Sequence, residues 1–222
     1  MTDGLAAVLF DMDGLLVDTE PLWFETEIEV MGRLGAPWTH EDQKQLLGGS
    51  MPRTVSYLLG KATKPAPAET VARWMTDGML ERAAAGRVTV MPGVRELLAE
   101  VAASGLPYAL VTSSERPLAE AVLASTGISF PVTVTGDDVP VTKPDPAPYL
   151  LAAKLLDVDP ARCVALEDSP NGAASATAAG CRVVAVPSFG EMPEAPGRLI
   201  VGSLRDVSLG TLRDLAQDAQ SW

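Results

Sequence analysis

From Val90 to Val186 short β-prone runs alternate with helical stretches, and this alternation restricts the fold more than any other feature of the chain. Residues 94–103, 118–125, 147–156 and 173–179 have helical spacing. Between them lie the strand-like runs 108–111, 132–134, 163–166 and 182–186. Such a succession predicts an α/β fold: a doubly wound, mainly parallel, Rossmann-like sheet whose ligands bind beyond the carboxyl ends of the strands. Leu5 to Phe10, an unbroken apolar run near the amino terminus, reads as a further strand buried on both faces. The tail, from Leu199 through Leu212 to Ala219, adds an edge strand and a covering helix.

Between the first strand and the rest of that pattern the spacing is purely helical. Asp18 or Thr19 can cap a helix with Pro21 in its first turn that runs on to Gly35. Further helices are expected over 40–47, 52–59 and 68–85, the last interrupted at Gly78. The expected organisation is therefore a core of residues 1–14 and 89–222 with an all-helical module, 15–88, inserted over the crevice as a lid.

The strand ends carry the chemistry. Strand alternation sends Asp11 and Asp13 to one side and Met12 to the other, so two carboxylates share a small volume at the end of the first strand. The second strand ends in Thr112-Ser113-Ser114, the loop after the third carries Lys143-Pro144, and the fourth ends in Glu167-Asp168. Each piece has a plainer reading. The first is an Asp-rich turn, the second a helix cap, the third a solvated loop charge and the fourth an acidic helix start. Their common position at strand ends favours one pocket. Four carboxylates gathered there demand protons or a cation, and an all-oxygen donor set suits Mg²⁺. Thr112, the Ser113 N–H and Lys143 then suit phosphate oxygens, and the expected substrate is a small-molecule phosphate ester.

These motifs resemble the haloacid dehalogenase-like hydrolases, in the branch that contains β-phosphoglucomutase and the sugar-phosphate phosphatases. The resemblance spans residues 5 to about 187 and rests on Asp11-Met12-Asp13-Gly14, Thr112, Lys143-Pro144 and the run from Leu166 to Gly172. It implies that Asp11 is a nucleophile forming an aspartyl-phosphate and that Asp13 is the general acid and base. It implies Mg²⁺ held by Asp11, the main-chain carbonyl of Asp13, and Asp168, with Glu167 near. Met12, Thr112, Ser113 and Lys143 would bind phosphate.

In that branch the helical lid sets selectivity. The mutases are similar to this chain except for a histidine where Trp23 stands, and an Arg and a Lys that grip a second phosphate. Here Arg53 is offset from that pattern and Met79 falls near the Lys position. Phosphate-ester hydrolysis is therefore expected, with a phosphosugar mutase as the alternative. Trp23 and Arg53 are the candidate lid contacts, each with an alternative reading as packing or surface charge. His40, the only histidine, reads as structural.

Composition excludes several classes. Seventeen Lys and Arg against 29 Asp and Glu give a net charge of −12, unsuited to nucleic acid or anionic lipid. No export signal or membrane-length apolar run is apparent, so a cytoplasmic protein is expected. Cys163 and Cys181 read as small buried hydrophobes. A monomer is expected, with a homodimer as the alternative.

Overall fold

The computed structural model describes residues 4–46, 49–188 and 190–217. In chain order the elements are β1 (Ala7–Phe10), β2 (Val17–Asp18), α1 (Glu20–Leu34), α2 (His40–Lys44), α3 (Met51–Lys61), α4 (Ala68–Ala84), β3 (Thr89–Val90) and α5 (Val94–Ala103). There follow β4 (Tyr108–Val111), α6 (Arg116–Thr126), β5 (Val132–Val134), α7 (Ala147–Leu155), β6 (Cys163–Glu167), α8 (Pro170–Ala178), β7 (Arg182–Ala185), β8 (Arg198–Ile200) and α9 (Leu209–Gln217). The end of the expected tail helix, residues 218–219, lies outside the described residues.

Six strands form one parallel sheet in the order β5-β4-β1-β6-β7-β8. β1 is central, with Leu9 opposite Ala109 on one side and Ala165 on the other. The two-residue period divides its side chains between two cores. Val8 and Phe10 join the apolar cluster under α5, α6 and α9, whereas Ala7 and Leu9 join the cluster under α7 and α8. Order reverses beside β1, between β4 and β6, and this is where such sheets open a ligand crevice.

The inserted helices have an apolar centre of their own, built from Val30, Met31, Leu34, Val55, Leu58, Val71 and Met75. They join the sheet through β2 and β3, a two-residue antiparallel ribbon that pairs the outgoing chain with the returning one. Helix α4 runs without a break through Gly78, contrary to the expected interruption. The reason is close packing on α1: a Cβ at Gly78 would lie 2.7 Å from the Thr26 Cγ2 methyl. Met79, next to it, is fully buried and takes a 3.5 Å hydrogen bond from the Thr26 hydroxyl, so it does not reach the crevice.

Thr19 occupies the position before α1 but makes no side-chain cap. Its hydroxyl is diverted to Asp13 Oδ1 at 2.7 Å, while Asp18 Oδ1 accepts from the Glu20 N–H at 3.3 Å. A helix start is thereby tied to a strand end.

Candidate active site

β1 delivers Asp11 on the face it shares with Ala7 and Leu9, toward α7, and sends Met12 into the opposite core. Asp11 is buried, and its Oδ1 accepts from Lys143 Nζ at 2.5 Å. The same ammonium donates to Glu167 Oε1 at 2.6 Å and to the Val111 carbonyl at 2.8 Å. The ends of β1, β4 and β6 and the loop after β5 therefore meet at one nitrogen. The Lys143–Pro144 peptide is cis. Tyr149 of α7, fully buried, donates its hydroxyl to Glu167 Oε1.

Asp11, Glu167 and Asp168 bring carboxylate oxygens within 4.8 Å of one another, and all three residues are buried. Three carboxylates face one ammonium, an excess of two negative charges if all are ionised. Burial pushes Asp11 well above the usual carboxylate range; Lys143 pulls it back, and Glu167 and Asp168 push it further up. Burial, helped by Glu167, raises Asp168 to about 7. Burial opposes the charge on Lys143, but Asp11 and Glu167 outweigh it and hold the ammonium protonated. Glu167 Oε2 is buried without a hydrogen-bond partner among the described residues. A divalent cation with oxygen ligands fits this donor set, because it would cancel the excess charge and occupy oxygens that no protein donor reaches.

Asp13 is arranged differently. Its Oδ1 takes the Thr19 hydroxyl and its Oδ2 the Ser114 hydroxyl at 2.8 Å, so its carboxylate is held away from the other three. Thr112 is buried and its Oγ1 accepts from the Ser114 N–H at 3.0 Å, which leaves the Thr112 hydroxyl proton available to a ligand. The Ser113 side chain is exposed.

Gly14 closes the motif with φ +86°, and a Cβ there would meet Asp168 Oδ2 at 2.0 Å. The backbone can pass so close to a buried carboxylate only without a side chain. Ser188, just beyond β7, donates its hydroxyl to that same Oδ2. No sequence signal marked Ser188 or Tyr149; both sit in segments that read as ordinary loop and helix.

Beside this centre lies a cavity of about 600 Å³ between α1, α2 and the core loops. Gly14 and Ser188 form one side, and Glu20, Phe24, His40 and Gln43 the other. The Phe24 and His40 rings stack at 3.9 Å and 16°. His40 was expected to be structural, but α2 presents it at the cavity because Asp42 and Thr39 cap that helix reciprocally. Gln43 Nε2 donates to Glu20 Oε2 at 3.2 Å and to the Glu20 carbonyl at 3.0 Å. Burial, then Asp13, Glu27, Asp168 and Asp18, raise Glu20 to about 8. The two lid contacts expected from sequence lie elsewhere. Trp23 packs between the two apolar clusters on either side of α1, and Arg53 is exposed with Nη2 on the Gln45 carbonyl at 2.7 Å.

The haloacid dehalogenase-like hydrolase family model matches residues 8–186. The chain belongs to this family. Protein CbbY of Rhodobacter capsulatus is 37% identical over 83% of this chain and 86% of its own length. Hexitol phosphatase B of Escherichia coli K12 is 34% identical over 95% of this chain and 94% of its own length. The crystal structure of a CbbY mutant from Rhodobacter sphaeroides in complex with xylulose-(1,5)bisphosphate superposes with a TM-score of 0.85. That alignment covers 94% of this chain and 99% of the other at 32% identity. A β-phosphoglucomutase from Clostridium difficile, 21% identical with a TM-score of 0.82, shares the fold.

Both cysteines are buried as expected, and burial pushes each thiol up to about 12. Among the described residues no helix is long and apolar enough to cross a membrane.

Proposed function

We propose that this hydrolase is a Mg²⁺-dependent cytoplasmic phosphatase of small sugar or polyol phosphates, working through a phosphorylated Asp11. The observation that carries this reading is the unequal treatment of two carboxylates in one tetrapeptide. Asp11 is buried against Lys143 beside Glu167 and Asp168, whereas Asp13 is partly buried and held by the Thr19 and Ser114 hydroxyls.

In this reading an Asp11 oxygen attacks phosphorus and the ester P–O bond breaks, while Asp13 gives its proton to the leaving alkoxide. Asp13 then takes a proton from water as the water oxygen attacks phosphorus. The acyl-phosphate P–O bond breaks, Asp11 is restored and phosphate leaves. Lys143, the Thr112 hydroxyl, the Ser113 N–H and main-chain groups near Met12 bind the phosphoryl oxygens. Asp11, Asp168 and the main-chain carbonyl of Asp13 would hold Mg²⁺, with Glu167 behind them. When bound, the ion would neutralise charge on the phosphoryl group. Thr19, which holds Asp13, comes from the start of α1, so movement of the inserted helices and orientation of the acid are coupled.

The names of the relatives frame the substrate class: one is a hexitol phosphatase, and another was crystallised with a sugar bisphosphate. The test is phosphate release from a panel of sugar, polyol, nucleotide and glycolate phosphates. We expect turnover with Mg²⁺, loss on chelation, and a fall of at least about 10³-fold in Asp11→Asn. Turnover retained in Asp11→Asn would reject the reading. Interconversion of hexose phosphates without net phosphate release would establish the mutase instead.

A further inference from the structure

We propose that the cavity beside the phosphoryl site accepts an uncharged, polyhydroxylated leaving group and discriminates against substrates that carry a second phosphate or a carboxylate. The inference rests on the phosphatase reading above and narrows its substrate class.

The walls supply the reason. Among the described residues that line the cavity there is neither Lys nor Arg, whereas Asp18, Glu20 and Glu25 all contribute. Only Glu25 is compensated: Arg87 grips it with two nitrogens at 2.6 Å each, and Arg82 approaches at 3.4 Å. Two cations of the neighbouring helices are engaged elsewhere, Lys44 with Glu41 at 3.1 Å and Arg53 with the Gln45 carbonyl. A second anionic group would find no counter-ion among the described lining residues, with Asp18 on the wall and Asp13 and Asp168 beyond it. Like charges juxtaposed without a counter-ion are a means of rejecting the wrong ligand.

The behaviour of Glu20 supports this. Burial first, and then the neighbouring acids Asp13, Glu27, Asp168 and Asp18, raise its carboxyl to about 8. The same two causes, a poorly solvated position and neighbouring acidic groups, oppose any anion placed nearby. A protonated Glu20, the Gln43 amide held against it and the Asp18 carboxylate offer donors and acceptors in alternation. Hydroxyl groups, each both donor and acceptor, match such a wall, and the stacked Phe24 and His40 rings provide an apolar surface for a carbon chain. At about 600 Å³ the cavity has room for a six-carbon polyol with water.

The experiment compares kcat/KM of the unaltered protein with Mg²⁺ on glucitol 6-phosphate, glucitol 1,6-bisphosphate and 6-phosphogluconate, which share one carbon skeleton. p-Nitrophenyl phosphate serves as a generic ester. We expect the neutral-ended substrate to be preferred over both anionic partners by at least about tenfold. His40→Arg puts a permanent cation on the same rim and should narrow that ratio at least about threefold. Equal or faster turnover of the bisphosphate or the phosphogluconate overturns the inference and leaves the phosphatase reading standing. No release from any of the four, p-nitrophenyl phosphate included, overturns both. An unchanged ratio in folded His40→Arg overturns the electrostatic basis, and the comparison on the unaltered protein stands even where that variant does not fold.

Discussion

Lys143 is the residue on which the buried charges balance, and removing it should be costly in a pH-dependent way. In Lys143→Met, Asp11 and Glu167 lose their common partner inside the core. We expect a loss of about 3 kcal/mol by urea denaturation in chelator at pH 8, and less at pH 5.5, where Asp11 can take up a proton instead. A variant as stable as the parent at pH 8 would contradict that balance. In the proposed metal site Ser188 would act indirectly, by fixing Asp168 Oδ2. Ser188→Ala should weaken Mg²⁺ binding about tenfold by calorimetry while the fold is retained, and unchanged affinity would remove Ser188 from the site. At this scale Asp11, Thr112, Glu167 and Asp168 stand out in the sequence because a strand end is a sharp boundary between apolar and polar, and Lys143 because its loop follows such a strand. Phe24 could not. It and Trp23 are neighbours on one helix, about 100° apart around its axis, and only packing decides which of the two faces the cavity.

Among elements, β4 and β5 fall where their β-prone residues predict because both faces of this sheet are covered, and an apolar run then has only one place to go. The β2–β3 ribbon left no trace in the pattern. Two residues paired with two others some seventy positions away carry no period to detect, and the pairing is made by the layers it joins. The continuity of α4 is likewise a tertiary effect. Glycine weakens a helix by about 1 kcal/mol relative to alanine, but here it admits the Thr26 methyl. Gly78→Ala should therefore destabilise rather than stabilise, by about 1–2 kcal/mol, despite its better helix propensity. Adding Thr26→Ser, which removes the methyl and keeps the hydroxyl bonded to the Leu22 carbonyl at 2.7 Å, should recover most of the loss. Additive effects in that double-mutant cycle, read from thermal unfolding, would show that the two sites do not touch.

For the molecule as a whole, several buried or half-buried carboxyls share one sign of shift. Asp168 is raised to about 7, Glu20 to about 8 and Glu27 to about 7, each chiefly by burial. A carboxyl whose folded pKa exceeds its unfolded value of about 4 binds more protons when folded, so stability falls as pH rises from about 4 to 8. The ion pairs of Glu25 with Arg87 and Asp42 with Lys61 act oppositely: their stabilisation is full above about pH 4 and is lost as pH falls through the lowered folded values. The protein in chelator should therefore melt at least about 5 °C lower at pH 8 than at pH 5.5, and Mg²⁺ should restore most of the difference. Scanning calorimetry checks it, and a higher Tm at pH 8 in chelator would contradict the raised pKa values. The layered architecture was legible because alternating strands and helices admit few windings; the cavity was not, because its walls come from helices brought together by that winding. The claim on which the account turns is that Asp11 carries the phosphoryl group. Acid quench of a single turnover with Mg²⁺ and a phosphate ester, followed by peptide mass spectrometry, should show a gain of about 80 Da on the peptide containing Asp11, absent in Asp11→Asn. Full phosphate release with no such adduct, or with the adduct on another residue, would contradict it.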